Sequence, residues 1–238
     1  MVAAIVLLSG GMDSAVALHW ALSKFDPIHP MFIAYGQTAF EAENKAAHAV
    51  ATNAASLFPD TVRELTWVNL PAHVFASQSS ILGRSPIQHY QTVEDAVAGT
   101  PTDTSYIPIR NAIFATLAAH HLLALHPDGG AVITGIRSRP EPNAPAGFPD
   151  CTKEFARAMT NALSVASGKR VDITDPLNLY APSREKTIRL AIALPGGYKA
   201  LGLTVSCFHG RPRPCGMCIP CKRRAQAFEQ VGVIDPAL

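Results

Sequence analysis

The residues best suited to chemistry in this chain sit at its first strand-to-helix junction. There the apolar run Ala3-Ala4-Ile5-Val6-Leu7-Leu8 gives way to Ser9-Gly10-Gly11-Met12-Asp13-Ser14. Paired glycines let the backbone turn sharply and approach an anion without interference from a Cβ, while Ser9 and Ser14 add hydroxyl donors beside a helix N-terminus. The chemistry this predicts is phosphate binding, with Asp13 placed to serve a magnesium ion. It is not a Walker A loop, which needs a Lys-Ser or Lys-Thr pair after its last glycine. None of the glycine pairs at 10/11, 129/130 and 196/197 is followed by one.

A second cluster lies near the C-terminus. Cys207, Cys215, Cys218 and Cys221 have the spacing C-x7-C-x2-C-x2-C and account for four of the five cysteines. Overlapping C-x2-C units put thiolates on tight turns, and an upstream cysteine closes a tetrahedral shell. A structural zinc site is the expectation, and four thiolates leave no position for a reacting water. The alternatives are an iron–sulfur cluster, since C-x2-C-x2-C also occurs in ferredoxin-type ligation, and unliganded thiols. Against the cluster, the fourth cysteine lies upstream and Cys221 is followed by Lys222.

The elements that must position these groups follow from the apolar periodicity. Ala15, Val16, Leu18, Leu22 and Phe25 fall on one side of a helix that Pro27 should end, and a strand from Ile28 to Ala34 follows. A helix is predicted from Phe40 to Leu57 and a third strand from Thr61 to Val68. From Pro71 to Thr104 no apolar period is sustained, which predicts an extended excursion serving as a lid or partner surface. Regular structure resumes with a helix from Asn111 to Leu125, a strand from Ala131 to Gly135, and a Pro-rich loop from Arg137 to Pro149. A helix from Thr152 to Ser167, a short strand near Val171 to Ile173 and a helix from Ser183 to Leu194 complete the body. Alternating strands and helices predict an α/β domain with a doubly wound parallel sheet, whose ligands bind at the carboxyl ends of the strands.

At 238 residues the chain suits one α/β domain, residues 1–200, with a small zinc-binding segment at 201–238. Twenty Lys and Arg against 18 Asp and Glu give a net charge of +2, which makes no general case for a nucleic-acid platform. Arg211, Arg213, Lys222, Arg223 and Arg224 read as a solvated surface around the cysteines. His19, His48, His120 and His121 fall within helical stretches and read as packed or solvated side chains. No apolar run approaches the ~18 residues of a membrane span, and the start lacks a signal-peptide pattern, so a cytoplasmic protein is expected.

The N-terminal loop resembles the pyrophosphate loop of the N-type ATP pyrophosphatases, which transfer AMP and release pyrophosphate. Along nearly its whole length the sequence resembles one family, the 7-cyano-7-deazaguanine synthases (QueC) of queuosine and archaeosine biosynthesis. The pieces that carry the resemblance are the loop, Tyr35-Gly36-Gln37, Pro108-Ile109-Arg110-Asn111, Thr134-Gly135, Gly147-Phe148-Pro149-Asp150-Cys151, Asp175-Pro176-Leu177, and Ser206-Cys207-Phe208 with the three later cysteines. It implies a Rossmann-like, adenine nucleotide alpha hydrolase-like fold with a four-cysteine zinc knot. It also implies an ATP-dependent ligase that adenylates the carboxylate of 7-carboxy-7-deazaguanine, forms an amide with ammonia, and dehydrates the amide to the nitrile. ATP would then contact Leu8, Ser9, Gly10, Gly11, Met12, Asp13, Ser14, Tyr35, Gln37 and Gly135. The acid substrate would meet Arg110, Asn111, Phe148, Pro149 and Asp150. Phe148 suits stacking on the deazapurine, and Asp150 suits its guanine-like N–H edge. Asp13, Arg110, and Arg184 or Lys186 are the expected catalytic groups, Arg110 because its fork matches an oxyanion. A homodimer or a complex with a partner protein is expected.

The departures from the family pattern are local. The usual Arg-His after Tyr-Gly-Gln is Thr38-Ala39, Pro-Gly-Arg-Asn is Pro108-Ile109-Arg110-Asn111, and an arginine gives way to Thr152. The acidic Glu-Thr-Asp segment before the Gly-Tyr-Pro-Asp-Cys-Arg motif is replaced by Arg137-Ser138-Arg139-Pro140. Nucleotide and zinc motifs are kept while the acceptor surroundings change. That contrast resembles the QueC-like proteins of anti-phage systems, some of which join a deazaguanine to the amino terminus of a partner protein. A tRNA-modifying enzyme or an inactive nucleotide-binding homologue is the third alternative.

Overall fold

Apolar runs that are buried on both faces of a strand belong in the middle of a parallel sheet, and the structure uses them there. This computed structural model describes residues 1–98, 104–137, 148–211 and 213–238. Strands β1 (Val2–Leu7), β2 (Phe25–Ala34), β3 (Thr66–Asn69), β4 (Gly129–Ile133) and β5 (Arg170–Thr174) form one sheet in the order β3-β2-β1-β4-β5, every pair parallel. The helices are α1 (Met12–Ala21), α2 (Phe40–Leu57), α3 (Val93–Ala98), α4 (Arg110–Leu125), α5 (Lys153–Ser167), α6 (Pro176–Tyr180), α7 (Arg184–Ala193), α8 (Gly197–Leu201) and α9 (Ile219–Val231).

Side chains of β1 alternate between two cores because the period of a strand is two. Ala4 and Val6 pack with α1 and α2, whereas Ala3 and Ile5 pack with α4 and α5. The chain winds outward to β3 on one side of β1 and to β5 on the other. The crevice between the ends of β1 and β4 is therefore the switch point at which such sheets bind ligands.

Three expectations need correction. The first helix ends at Ala21, and Phe25 and Pro27 lie in β2. The β1–β2 register shifts between Val2 and Ala4, so Asp26 and Pro27 occupy an irregular stretch that tolerates a residue without an N–H. Second, α1 is not one-sided: nine of its ten residues are buried, because Met12 and Val16 pack outward against α6, α7, α8 and α9. Third, Arg224 is buried rather than solvated. Its guanidinium pairs with Asp235 at 2.6 and 2.8 Å and donates to Thr204 Oγ1 (2.8 Å), Ser206 Oγ (3.2 Å) and the Leu201 carbonyl (2.9 Å). Helices α3, α6, α8 and α9 had no counterpart in the sequence reading, and β3 starts at Thr66 rather than Thr61.

Candidate active site

The loop after β1 is braced by its own hydroxyls. Ser14 Oγ donates to the Gly11 carbonyl (3.0 Å) and accepts from Ser9 N (3.2 Å), while Ser9 Oγ accepts from Gly11 N (3.3 Å). Gly10 has φ +77°, and a Cβ there would stand 2.3 Å from the Glu43 carbonyl oxygen in α2. Across the switch point, a Cβ on Gly135 would stand 2.6 Å from Ser14 N. Both glycines are thus required by backbone contacts as well as by any ligand. The first-turn N–H groups of α1, which have no partners within the helix, face the space between them.

That space is a cavity of about 360 Å³. Its floor is Leu8, Ser9, Gly11, Met12, Asp13 and Ser14, with Thr134, Gly135 and Ile136 beside them. Tyr35, Gln37, Thr38, Ala39 and Glu43 come from the end of β2 and the start of α2, and Arg110, Asn111 and Phe114 from α4. Ile81 of the 71–104 excursion and Val205, Ser206, Phe208 and Pro220 of the C-terminal segment close it.

Charge is concentrated around Asp13. Its Oδ2 lies 3.6 Å from Arg137 and 3.7 Å from Arg184. Its Oδ1 is buried with no hydrogen-bond partner among the described residues. An unsatisfied carboxylate oxygen beside an anion-binding loop fits magnesium, an oxygen-seeking cation that would supply charge neutralisation on phosphate oxygens. Arg184 lines the cavity, whereas Lys186 is exposed and is not part of its lining. Arg110 lies over the rings of Tyr35 and Phe114, 5.9 Å from each centroid, which fixes its fork toward the cavity. Burial pushes the Tyr35 hydroxyl up to about 12, despite the nearby Arg110 charge. The Glu43 carboxyl is likewise pushed up by burial, although Gln37 Nε2 donates to its Oε2 at 3.1 Å. Gln37 also braces the end of β2, its Oε1 accepting from Tyr35 N at 2.8 Å.

The residues expected around the acid substrate are only partly brought to the cavity. Arg110 and Asn111 line it; Phe148, Pro149 and Asp150 do not. Asp150 is buried, its Oδ2 accepting from Asn111 N (3.3 Å) while Asn111 Nδ2 donates to its carbonyl (3.2 Å). Phe148 stacks on Tyr106 with centroids 4.8 Å apart. This group sits one residue behind the lining, next to Arg110. Of the Arg137 to Pro149 loop, residues 138–147 lie outside the described residues. Glu43 and Arg137 were missed by sequence reading as site residues. Arg137 carried a signal, standing two residues after the Thr134-Gly135 step at the end of a central strand. Glu43 carried none beyond one more carboxylate in a helix.

The four C-terminal sulfurs lie within 4.8 Å of one another. Cys218 and Cys221 Sγ are 3.4 Å apart, close to the ~3.8 Å edge of a tetrahedron with Zn–S bonds of about 2.3 Å. Backbone N–H groups aim at the sulfurs: Cys215 N at Cys207 Sγ (3.4 Å), Met217 N and Cys218 N at Cys215 Sγ (3.5 and 3.3 Å). The mutual hydrogen bond of the last pair pulls the Cys218 thiol down to about 5 and pushes that of Cys221 up. Donors aimed at thiolates and this spacing fit zinc, and the four cysteines could hold such an ion.

Fold and site together define a doubly wound α/β protein with a glycine loop at its switch point and a four-cysteine cluster beside it. The sequence model of the queuosine biosynthesis protein QueC family matches residues 3–232, and the chain belongs to that family. It is similar to proteins named 7-cyano-7-deazaguanine synthase. That of Laribacter hongkongensis is 31% identical, covering 99% of this chain and 93% of the relative. That of Frankia casuarinae is 35% identical over the same shares, and that of Thermoplasma volcanium 30% over 98% and 89%. No described helix is long and apolar enough to cross a membrane.

Proposed function

We propose that the protein is an AMP-forming ATP-dependent ligase acting on 7-carboxy-7-deazaguanine. The observation that carries this reading is the convergence of Arg110, Arg137 and Arg184 with Asp13 around the glycine loop, in a chain of the QueC family. A carboxylate is a poor electrophile. Attack of its oxygen on the α-phosphorus of ATP forms an acyl-adenylate and breaks the bond to pyrophosphate. Charge then builds on the α-phosphate, where fixed donors and cations stabilise it most. Ammonia adds to the acyl carbon, loses a proton and expels AMP to leave the amide. The amide oxygen attacks the α-phosphorus of a second ATP and expels pyrophosphate, and departure of AMP with loss of the two amide protons leaves the nitrile. Asp13 would hold magnesium, and the Glu43 carboxyl at the cavity wall would offer an acceptor for a guanine-like edge.

A second reading is favoured by the cavity wall at Thr38 and Ala39, which is neutral where the family pattern has a basic pair. There the acceptor would be an amine of a partner protein and the reaction would stop at the amide. The two readings share the adenylation step.

The test is the zinc-replete protein incubated with 7-carboxy-7-deazaguanine, ATP, magnesium and ammonium. AMP and pyrophosphate should appear only when the acid is present, and Asp13→Ala should abolish them with the circular dichroism unchanged. A nitrile product excludes the amide-only reading. Release of ADP, or AMP formation independent of the acid, refutes both.

A further inference from the structure

The excursion and the cysteine knot meet at a pair of histidines that the proposed chemistry does not use. His89 comes from the excursion and is exposed; His209 follows Phe208 in the knot. Their Nε2 atoms are 2.9 Å apart. With Cys215 Sγ they form a triad whose ligand atoms all lie within 4.8 Å of one another. His89 is not there by accident of a floppy segment: the next residue, Tyr90, donates its N–H to the Met217 carbonyl at 2.8 Å, and Ile87 packs against the cysteine cluster. A second histidine pair, His29 and His126, has the same 2.9 Å separation, yet it belongs to no three-ligand group among the described residues.

We propose that His89, His209 and Cys215 form a second, solvent-open site for a divalent ion that takes imidazole and thiolate ligands, zinc being the natural occupant, with Cys215 bridging to the ion of the four-cysteine knot. The donor set is right for a borderline-soft cation: two neutral imidazoles, one thiolate and a free position facing water. Cys215 is less buried than Cys207, Cys218 and Cys221, so its sulfur is the one of the four with room for a second bond. Two imidazole nitrogens on a tetrahedral ion stand about 3.3 Å apart, so the pair needs to open by only about half an ångström. The site joins two walls of the cavity. Ile81 of the excursion and Phe208, adjacent to His209, both line it, and the metal would clamp one segment to the other.

The experiment is equilibrium dialysis of the intact chain against zinc, with metal counted per polypeptide. Two equivalents are expected for the wild type and one for His89→Ala and for His209→Ala, with all four knot cysteines of these variants still protected from alkylation. Wild type given a single equivalent of zinc, enough for the four-cysteine knot alone, and then titrated with cobalt should develop a thiolate-to-cobalt absorption band that His89→Ala lacks. One equivalent in the wild type, two in either histidine variant, or cobalt binding without the thiolate band would each overturn the assignment. The readouts do not depend on the ligase reading.

Discussion

Ile109 is the only non-glycine residue with positive φ among those described, at +64° with ψ 3°, directly before α4 and Arg110. The left-handed region costs a β-branched residue about 1–3 kcal/mol. Glycine removes that strain but loses roughly 0.5–1 kcal/mol more backbone freedom on folding. The side chain is 64% exposed, so truncating it forfeits less than ~1 kcal/mol of burial. At the middle of these ranges the relieved strain outweighs both losses, and Ile109→Gly should stabilise the protein by about 0.5–1 kcal/mol. In a chain of this size that raises the melting temperature by about 1–4 °C. Paired urea and calorimetric melts would measure it, with Ile109→Asn, which tolerates the left-handed region, giving a smaller gain. Ile109 does not line the cavity, so the substitution leaves its lining unchanged. A melting temperature at or below that of the wild type would refute the strain argument.

Two further outcomes follow from buried charge. Arg224→Met leaves the Asp235 carboxylate buried without its cation and should cost about 3–5 kcal/mol in urea unfolding. The double variant Arg224→Met/Asp235→Leu should recover most of that loss, and a single-variant cost below ~1 kcal/mol would contradict the pairing. Burial pushes Asp175 up from 3.8 to about 6, against hydrogen bonds from Thr134 and Asn178. The unfolded chain then loses this proton first, so stability falls as pH rises between about 4 and 6 and levels off above. At ~1.4 kcal/mol per pH unit the loss is about 3 kcal/mol. Asp175→Asn keeps an acceptor for Thr134 and lacks the loss, so its advantage over the wild type should grow by that amount from pH 4 to 7. A pH-independent difference would rule this out.

What the sequence made legible was whatever a local pattern encodes. The β1 run, the glycine loop and α2 follow directly from apolar periodicity and turn chemistry, and α2 begins and ends where that periodicity predicts. The cysteine spacing likewise brought four sulfurs together. Partners distant in sequence were not legible. Phe25 fits a helical face and a strand equally well, and only its pairing with Val2 decides. Arg224 sits in a run of basic residues, and nothing local distinguishes the one that turns inward to Asp235. Helix α9 had its signals, Pro220 in the first turn and Gly232 in the left-handed region after its end, but the cysteine pattern overlies its start. Arg137 meets Asp13 only because the sheet order brings the ends of β1 and β4 side by side, and Arg184 only because α7 packs on α1.

The same topology sets the four-cysteine cluster beside the glycine loop. Residues 201–206 run from α8 to Cys207, and along that stretch Val205 N donates to the Gly10 carbonyl at 3.0 Å, bracing the loop from behind. Arg224, in the helix that Cys218 caps, bonds Leu201, Thr204 and Ser206. The segment touching Gly10 is thus fixed at one end by Cys207 and along its length by a side chain three residues past Cys221. An ion held by the four thiolates would set the distance between those two anchors, and with it the position of Val205 against the loop. On the side where a Cβ would stand, Gly10 is already against the α2 backbone at Glu43 and Ala47. Such an ion would need no open coordination position to matter for the loop, because the segment it anchors reaches Gly10 through one backbone hydrogen bond.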